Sequence, residues 1–331
     1  MEIRSLRRIL AVISSLIVAI VAYLLANRIS PALRSLFPPS ASTSAIAGRS
    51  FNSTSKAMSK RTPVYFVSHG GPNTMFDTEH PVYPVLQRIG QEITQKVKPK
   101  AIVVFSAHWE AGPRDIQVNT AVTSDLIYDY YGFPPEYYKV QYPNKGSPEL
   151  ASKIIGLLRD AGIEAEGVKR GLDHGVYVGF SVAFHPEKNP LNIPIVQVSQ
   201  YNSPDVDQHY RLGQAVAALR DENIVIVGAG MSVHNLRDLR FTFNSPRPLP
   251  YVVSFDEALK PAMEAPPSER QARLAEVAKR PDARQAHPHF DHLMPAYITA
   301  GAAGEDQGKQ LWTFHESSMG WAMYRFGEVP A

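Results

Sequence analysis

The chain has 331 residues, of which 44% are hydrophobic and none is cysteine. A chain of this length can bury a large core, in one sizeable domain or two. The absence of cysteine excludes disulfides, thiolate metal sites and cysteine nucleophiles, so any metal site must use nitrogen and oxygen ligands.

The net charge of +3 is unevenly distributed along the chain. The first 62 residues carry nine Lys and Arg side chains against Glu2 alone, a balance of +8, which leaves about −5 for the remainder. A mildly acidic folded part gives little electrostatic support for nucleic-acid binding. We therefore expect no nucleic-acid partner.

The N-terminal segment differs in composition from the rest. The run from Ile9 to Ala26 is almost entirely apolar and long enough for a single transmembrane helix, at the low end of the roughly 20 residues that a bilayer requires. The following residues, rich in Ser, Ala and Arg, suit a linker or a mitochondrial presequence. We predict that residues 1–62 are a membrane anchor or targeting segment with a Ser-rich linker. Initiation at Met58 would instead give a shorter, cytoplasmic product.

From residue 63 onward, apolar strands alternate with helices. In chain order, the predicted elements are a strand at 63–68, a helix at 82–96, a strand at 101–106, a helix at 146–161, a strand at 193–199, a helix at 206–220, a strand at 223–227, helices at 251–263, 268–279 and 292–301, and a strand at 309–316. This alternation favours an α/β fold. We expect residues 63–331 to form a single three-layer domain, with a central, mostly parallel or mixed sheet flanked by helices.

Three of the predicted strands lead into a histidine. The first runs directly into His69 and a Gly-Gly-Pro turn, the second into His108, and the strand that begins at residue 223 leads through Gly-Ala-Gly to His234. Ligands of open α/β sheets bind outside the carboxyl ends of the strands. We therefore expect these imidazoles to meet at one rim of the sheet, as in a metal site.

Two further histidines lie in motifs of their own. His174 follows Asp173, a carboxylate that could orient the ring or raise its basicity. His292 ends a His-Pro-His-Phe-Asp-His run, in which we expect His287 and His289 to be solvated or supporting. One histidine near a strand end is usually an ordinary hydrogen-bonding residue, but the shared context of five indicates a site.

The sequence resembles the class III extradiol ring-cleavage dioxygenases, a LigB-like family, and most closely its DOPA 4,5-dioxygenase-like branch. The resemblance runs from about residue 63 to residue 326. It rests on motifs in the family's order and spacing: Ser68-His69-Gly70-Gly71-Pro72, Ser106-Ala107-His108-Trp109, Asp173-His174-Gly175, Val233-His234-Asn235-Leu236, Asp291-His292-Leu293-Met294-Pro295, Tyr131-Gly132-Phe133-Pro134-Pro135 and Tyr142-Pro143.

This resemblance implies an oxidoreductase that adds O2 to a catechol, with one non-haem Fe(II) or Zn(II) ion per subunit. His69, His108 and His292 would be metal ligands and His174 a catalytic residue, whereas His234 would be either catalytic or a fourth ligand. His292 stands where the better-studied relatives have a glutamate. A neutral imidazole there should favour a dianionic substrate, and it suits zinc as well as iron.

Two other classes of function stay open from the residues alone. A zinc hydrolase could use the same histidines to activate water, with Glu110 as the one glutamate placed near a predicted ligand. A metal-stabilised binding protein without catalysis would also keep the histidines.

Tyr128, Tyr131 and Tyr137 could line a pocket for an aromatic ring or pack as ordinary aromatics. The oligomeric state does not follow from the sequence.

Overall fold

The structure is a computed structural model that describes residues 61–330, except 244 and 246. The predicted membrane or targeting segment from Ile9 to Ala26 lies outside the described residues, and both it and the domain boundary at residue 62 remain predictions. Within the described part, no helix combines the length and apolar character needed to cross a membrane.

Thirteen strands and nine α-helices are found in the described residues. The strands are β1 (Val64–Ser68), β2 (Ala101–Glu110), β3 (Asp115–Asn119), β4 (Leu126–Ile127), β5 (Glu164–Val168), β6 (Leu172–Asp173), β7 (Ile195–Gln200), β8 (Ile224–Gly230), β9 (Val233–His234), β10 (Gly308–Trp312), β11 (His315–Glu316), β12 (Met319–Gly320) and β13 (Met323–Phe326). The helices are α1 (Tyr83–Gln91), α2 (Pro148–Asp160), α3 (His174–Ala183), α4 (Val206–Val216), α5 (Leu236–Thr242), α6 (Pro250–Met263), α7 (Pro267–Ala278), α8 (Ala283–Ala286) and α9 (Met294–Ala302).

Eight of these strands form a mixed sheet in the order β10-β13-β1-β8-β2-β7-β3-β5. Its centre, β1-β8-β2-β7, is parallel, whereas β13 runs antiparallel to β1 and β3 antiparallel to β7. Two small sheets, β11-β12-β9 and β4-β6, accompany the main one. The carboxyl ends of the four central strands therefore meet at one edge.

Both faces of the main sheet are covered. Successive residues of β1 alternate between two apolar clusters, with Val64 and Phe66 in one and Tyr65 and Val67 in the other. The first cluster packs beneath α2, α4, α6, α7 and α9, and the second beneath α1 and α3. Burial on both faces explains why the central strands read as unbroken apolar runs. The predicted three-layer α/β fold is confirmed.

The differences from the predicted elements have local causes. β2 continues to Glu110, four residues beyond the predicted end, because its pairing with β7 is irregular but not lost after Phe105. Helix α3 was not predicted, since it is buried on nearly all sides and has no polar stripe to mark a helical period. The predicted strand at 309–316 is divided into β10 and β11.

Candidate metal centre

The central strands bring three histidines to the carboxyl edge of the sheet. His69 follows β1, and its backbone N–H donates to Gly230 O at the end of the neighbouring β8. His108 lies in the irregular last part of β2, and His234 ends β9, which follows β8. The carboxyl end of a parallel sheet leaves such residues free to face a common ligand.

His292 reaches the same edge from the segment before α9. Met231 N–H donates to His292 O at 2.9 Å, which joins this segment to the residues after β8. A Cβ atom at Gly230 would clash with His292 O, so a glycine is needed where the two backbones approach.

The nitrogens of His69, His108 and His292 converge, because one from each ring lies within 4.8 Å of the other two. The Nε2 atoms of His108 and His292 are 3.1 Å apart. Two imidazoles bound to one metal at roughly 2.0–2.1 Å place their nitrogens about 2.9–3.4 Å apart for angles between 90° and 109°. The observed spacing therefore fits two neighbouring ligands of one ion.

His69 supplies the clearest sign that these nitrogens face a ligand. Its Nδ1 lies 2.7 Å from Gly70 O, a carbonyl that can only accept, so Nδ1 carries the proton and Nε2 a free lone pair. Nε2 is buried without a hydrogen-bond partner. Burial, and then the neighbouring His108 and His292, hold the pKa of His69 well below its usual value. The ring is therefore neutral, as a metal ligand must be.

The carboxylate of Asp129 lies beside the Nδ1 atoms of both His108 and His174. Its Oδ1 accepts from His174 Nδ1 at 2.9 Å and from the His174 backbone N–H at 3.1 Å, while Oδ2 lies 3.3 Å from His108 Nδ1. Burial alone would raise the pKa of Asp129, but the hydrogen bonds from His108 and His174 outweigh it and hold the pKa far below the usual value. Asp129 is therefore an anionic acceptor for both rings.

His234 is stacked on His292 rather than placed beside the three converging nitrogens. The two ring centroids are 3.5 Å apart and the planes differ by only 8°. Imidazole lone pairs lie in the ring plane, so an ion in the plane of His292 would lie roughly one stacking distance off the plane of His234. Burial, and then His292, hold the pKa of His234 well below its usual value.

Two other groups of side chains in the described residues have ligand-type spacing, namely His108, Asp129 and His174, and His234, Asp291 and His292. In the first, the carboxylate already accepts hydrogen bonds, so no ion is needed to satisfy it. In the second, Asp291 Oδ1 accepts the His292 backbone N–H at 2.7 Å. The group of His69, His108 and His292 differs from both, because its members are all imidazoles, with His108 Nε2 3.1 Å from His292 Nε2 and His69 Nε2 buried without a partner.

The chain matches the family described as the catalytic LigB subunit of aromatic ring-opening dioxygenase over residues 58–327. It is 36% identical to the 4,5-DOPA dioxygenase extradiol of Beta vulgaris over 273 residues, which cover 79% of this chain and 95% of that protein. It is 32% identical to the 4,5-DOPA dioxygenase extradiol of Escherichia coli over 244 residues, which cover 74% and 86%. A solved structure of an uncharacterized protein from Escherichia coli K12 matches with a TM-score of 0.63 and 28% identity, over 81% of this chain and 100% of that chain.

The chain belongs to the LigB family. It is an extradiol dioxygenase, an oxidoreductase that acts on a small molecule and O2. The family depends on a non-haem metal ion, and the His and Asp groups at the sheet edge could bind one. The predicted resemblance is confirmed, and the hydrolase and the non-catalytic binding protein are not supported.

The carboxylate that orients His174 in this LigB-family protein is not the one expected. Asp173 is the neighbouring carboxylate that could orient the ring, yet it accepts instead from Ser106 Oγ at 2.6 Å, from Arg170 Nη1 at 2.9 Å and from Gln197 Nε2. Asp129, which sequence analysis missed, holds the ring instead. Asp129 lies 45 residues before His174, so no local spacing could connect the two.

The aromatic side chains also differ from expectation. Tyr131 cannot line a buried pocket, because it is 92% exposed. Its neighbour Tyr130 is buried and packs edge-on against His174, with the ring centroids 5.5 Å apart. Tyr128 and Tyr137 are half-buried and linked to the same segment, since Tyr128 OH donates to Val140 O and Tyr130 OH donates to Tyr137 O. Tyr130 was not among the predicted pocket residues, although it directly precedes Tyr131 and follows Asp129, which holds His174.

The remaining candidates, Glu110, His287 and His289, belong to none of the groups with ligand-type spacing in the described residues. Glu110 is half-buried and belongs to none of the three groups with ligand spacing. His287 is fully buried with Nε2 2.8 Å from Ser232 O, so it is supporting, whereas the His289 side chain is 63% exposed.

Proposed function

We propose that this dioxygenase holds one metal ion per subunit through His69, His108 and His292, and that it cleaves the ring of a catechol of the DOPA type. The observation that carries this proposal is the convergence of one nitrogen each from His69, His108 and His292 within 4.8 Å, beside the buried, unpartnered Nε2 of His69. The catechol class rests on the relatives, because the proteins most similar to this chain include enzymes named for 4,5-DOPA.

We propose Fe(II) as the working metal and zinc as an ion that the same side chains would bind. Zinc has no redox chemistry, whereas incorporation of O2 into an aromatic ring calls for a metal that has. The bound ion would supply open positions for the two catechol oxygens and for O2. Three neutral imidazoles add no negative charge, so a catechol bound as a dianion would meet no repulsion from a carboxylate ligand.

We assign proton transfer to His174 and His234. Imidazole titrates close to neutral pH and is the usual acid or base for such a step. His174 directs Nδ1 to Asp129, which leaves Nε2 as an acceptor for a catechol hydroxyl proton. The parallel stack of His234 on His292 favours an acid/base role over a fourth ligand position. Removal of the catechol protons makes the ring electron-rich and ready to react with O2.

The proposal is tested by loading the full-length protein with Fe(II) without oxygen and then adding a panel of catechols in an oxygen electrode. We expect uptake of one O2 per ring cleaved with L-DOPA, and none with the zinc-loaded protein. A panel that includes dopamine and catechol separates recognition of the ring from recognition of the side chain. Lack of O2 uptake with every catechol would overturn the proposed reaction.

We further propose that residues 63–331 are the catalytic domain and that residues 1–62 direct the protein to a membrane or to mitochondria. The support is the contrast between the apolar run from Ile9 to Ala26 and the mildly acidic remainder of the chain. Cell fractionation of the full chain, beside a variant without residues 9–26, tests this. Equal partition of both between membrane and soluble fractions would contradict it, and synthesis from Met58 would give a cytoplasmic form.

A further inference from the structure

We propose that Asp129 is a positioning residue that serves two histidines at once. Its carboxylate holds His108 and His174 in the tautomers in which both rings present Nε2 to the centre. This inference rests on the proposed function only in the roles it gives to these rings, one as a metal ligand and the other in proton transfer.

The fold brings Asp129 to the centre through the small sheet β4-β6. These two strands are parallel, and Ile127 pairs with Asp173. Asp129 therefore leaves β4 beside the point where His174 leaves β6 to begin α3. The Asp129 side chain is only 24% exposed, and its contacts with the two rings span 21 and 45 residues of sequence.

The contact of Asp129 with His174 is stronger than its contact with His108, and each uses a different carboxylate oxygen. Oδ1 accepts from both Nδ1 and the backbone N–H of His174, at 2.9 and 3.1 Å, which fixes the ring relative to the first residue of the helix. Oδ2 lies 3.3 Å from His108 Nδ1, which is longer than the roughly 2.7–2.9 Å of a charge-assisted hydrogen bond and therefore a weaker contact. The two rings also pack together, with centroids 3.9 Å apart. A shift of the carboxylate would therefore disturb both rings.

The chemistry of a carboxylate explains why this position needs Asp. An ionised carboxylate only accepts hydrogen bonds, so each Nδ1 that faces it carries a proton and each Nε2 keeps a free lone pair. His108 Nε2 is the atom that lies 3.1 Å from His292 Nε2 in the candidate ligand group. Outer carboxylates of this kind fix the tautomer of metal-binding histidines, and their loss typically weakens metal affinity 10–100-fold.

Asparagine at this position has the same shape and a different hydrogen-bonding capacity. Its amide oxygen can accept from one imidazole, but its NH2 group donates and must face an unprotonated nitrogen on the other. Asp129→Asn can therefore support only one of the two rings in the required tautomer. Asp129→Glu keeps both acceptor oxygens, displaced by one methylene group.

The experiment measures metal affinity directly, by competition of Co(II) or Zn(II) with a chelator for full-length protein. We expect Asp129→Asn to bind the metal 10–100-fold more weakly and Asp129→Glu to lie between Asn and the native protein. Long-range proton–nitrogen NMR of 15N-histidine protein with zinc bound should show that His108 or His174 loses the Nδ1–H tautomer in Asp129→Asn. The Fe(II)-saturated variant should retain its KM for the catechol better than its kcat.

The matched control is Asp256→Asn. The Asp256 carboxylate is buried and accepts at 2.8 Å from His315 Nε2, and neither residue belongs to a group with ligand spacing in the described residues. This control should lower the melting temperature but leave metal affinity within about 2-fold. A much lower melting temperature for Asp129→Asn than for Asp256→Asn would show that Asp129→Asn has unfolded. In that case, Asp129→Glu is the variant whose metal affinity is compared with that of the native protein.

Native metal affinity and unchanged tautomers in Asp129→Asn would overturn the inference, as would Asp129→Glu binding no better than Asn. Its failure is distinguishable from failure of the proposed function. If the native protein cleaves no catechol, but Asp129→Asn still loses metal affinity and a tautomer, then the reaction assigned here is wrong and the positioning role of Asp129 stands.

Discussion

Buried histidines occur in two kinds of surroundings in this protein. His209 directs both ring nitrogens at backbone carbonyls, 2.8 Å from Asp205 O and 3.2 Å from Tyr201 O. His287 has Nε2 2.8 Å from Ser232 O and leaves Nδ1 without a partner. At the centre, in contrast, one nitrogen of His69 converges with nitrogens of His108 and His292, which come from separate segments of the chain, and His69 Nε2 has no hydrogen-bond partner.

The comparison shows which property marks a site. Burial lowers the pKa of His209 and His287 as it lowers that of His69, so a shifted pKa does not separate the two kinds. An unpartnered nitrogen does not separate them either, because His287 also has one. What distinguishes the centre is convergence, since nitrogens from several elements meet with spacings that one ion satisfies.

The largest expected effect follows from removing a converging nitrogen. His108→Ala should weaken metal binding by more than about 100-fold, beyond the usual cost of losing an outer partner, and should abolish ring cleavage. Metal content after dialysis and O2 uptake measure this. His209→Ala, the control from the other kind of surroundings, should destabilise the fold by about 1–3 kcal/mol and still bind the metal. Ring cleavage at the native rate by His108→Ala would show that this metal centre does not carry out the reaction.

A change of ligand charge should have a smaller and more selective effect. His292→Glu would convert three histidines into the two-histidine, one-carboxylate set common in non-haem Fe(II) oxygenases. We expect the ratio of iron to zinc bound from an equimolar mixture to rise. His287→Glu serves as a control, because His287 does not converge with the ligand nitrogens. An unchanged ratio of iron to zinc in His292→Glu would show that His292 is not a metal ligand.

Buried neutral histidines also predict how stability depends on pH. Burial lowers the pKa of His287 to about 4, so between pH 6.5 and 4 the unfolded chain binds a proton that the folded protein excludes. The free energy of unfolding should therefore fall as the pH drops through this window, by up to about 1.4 kcal/mol per pH unit for this residue. Urea titrations of metal-free protein at pH 7 and pH 5 should show a shallower slope for His287→Gln. An identical slope would mean that folding does not lower the pKa of His287.

The smallest expected effect concerns the backbone beside His108, a proposed ligand. A Cβ atom at Gly175 would lie 2.5 Å from Ser106 Oγ and 2.8 Å from His108 Cδ2, whereas one at Gly179 would meet nothing closer than 3.8 Å. Gly175→Ala should cost about 1–3 kcal/mol and weaken metal binding several-fold by moving His108. Gly179→Ala should be neutral or stabilising by up to about 1 kcal/mol. Equal melting temperatures and metal affinities for both variants would show that the first turn of α3 does not constrain the ligand.

Much of the fold was predictable because its signals are local. The central strands are apolar runs that end in turns, and helices such as α2 begin with a capping residue, Ser147, that accepts from Leu150 N–H. The elements that were missed lack such signals. β3 and β5 are short and partly exposed, and α3 is apolar on nearly every side. Their place is decided by neighbours far away in sequence.

The sequence by itself determined the chemistry available to this protein, namely a nitrogen- and oxygen-ligated centre at the carboxyl ends of strands, with His69, His108, His174, His234 and His292 as candidates. Only the tertiary structure decided which side chains meet. The partner of His174 is Asp129 and not Asp173, the tyrosine that packs against His174 is Tyr130, and His234 is stacked on His292. The physical reason is that the hydrophobic periodicity of an element and the residues of its turns are local signals, which reach over only a few residues. The contacts of the centre depend on strand order and on backbone approach, as where the 3.1 Å separation of His108 and His292 spans 184 residues.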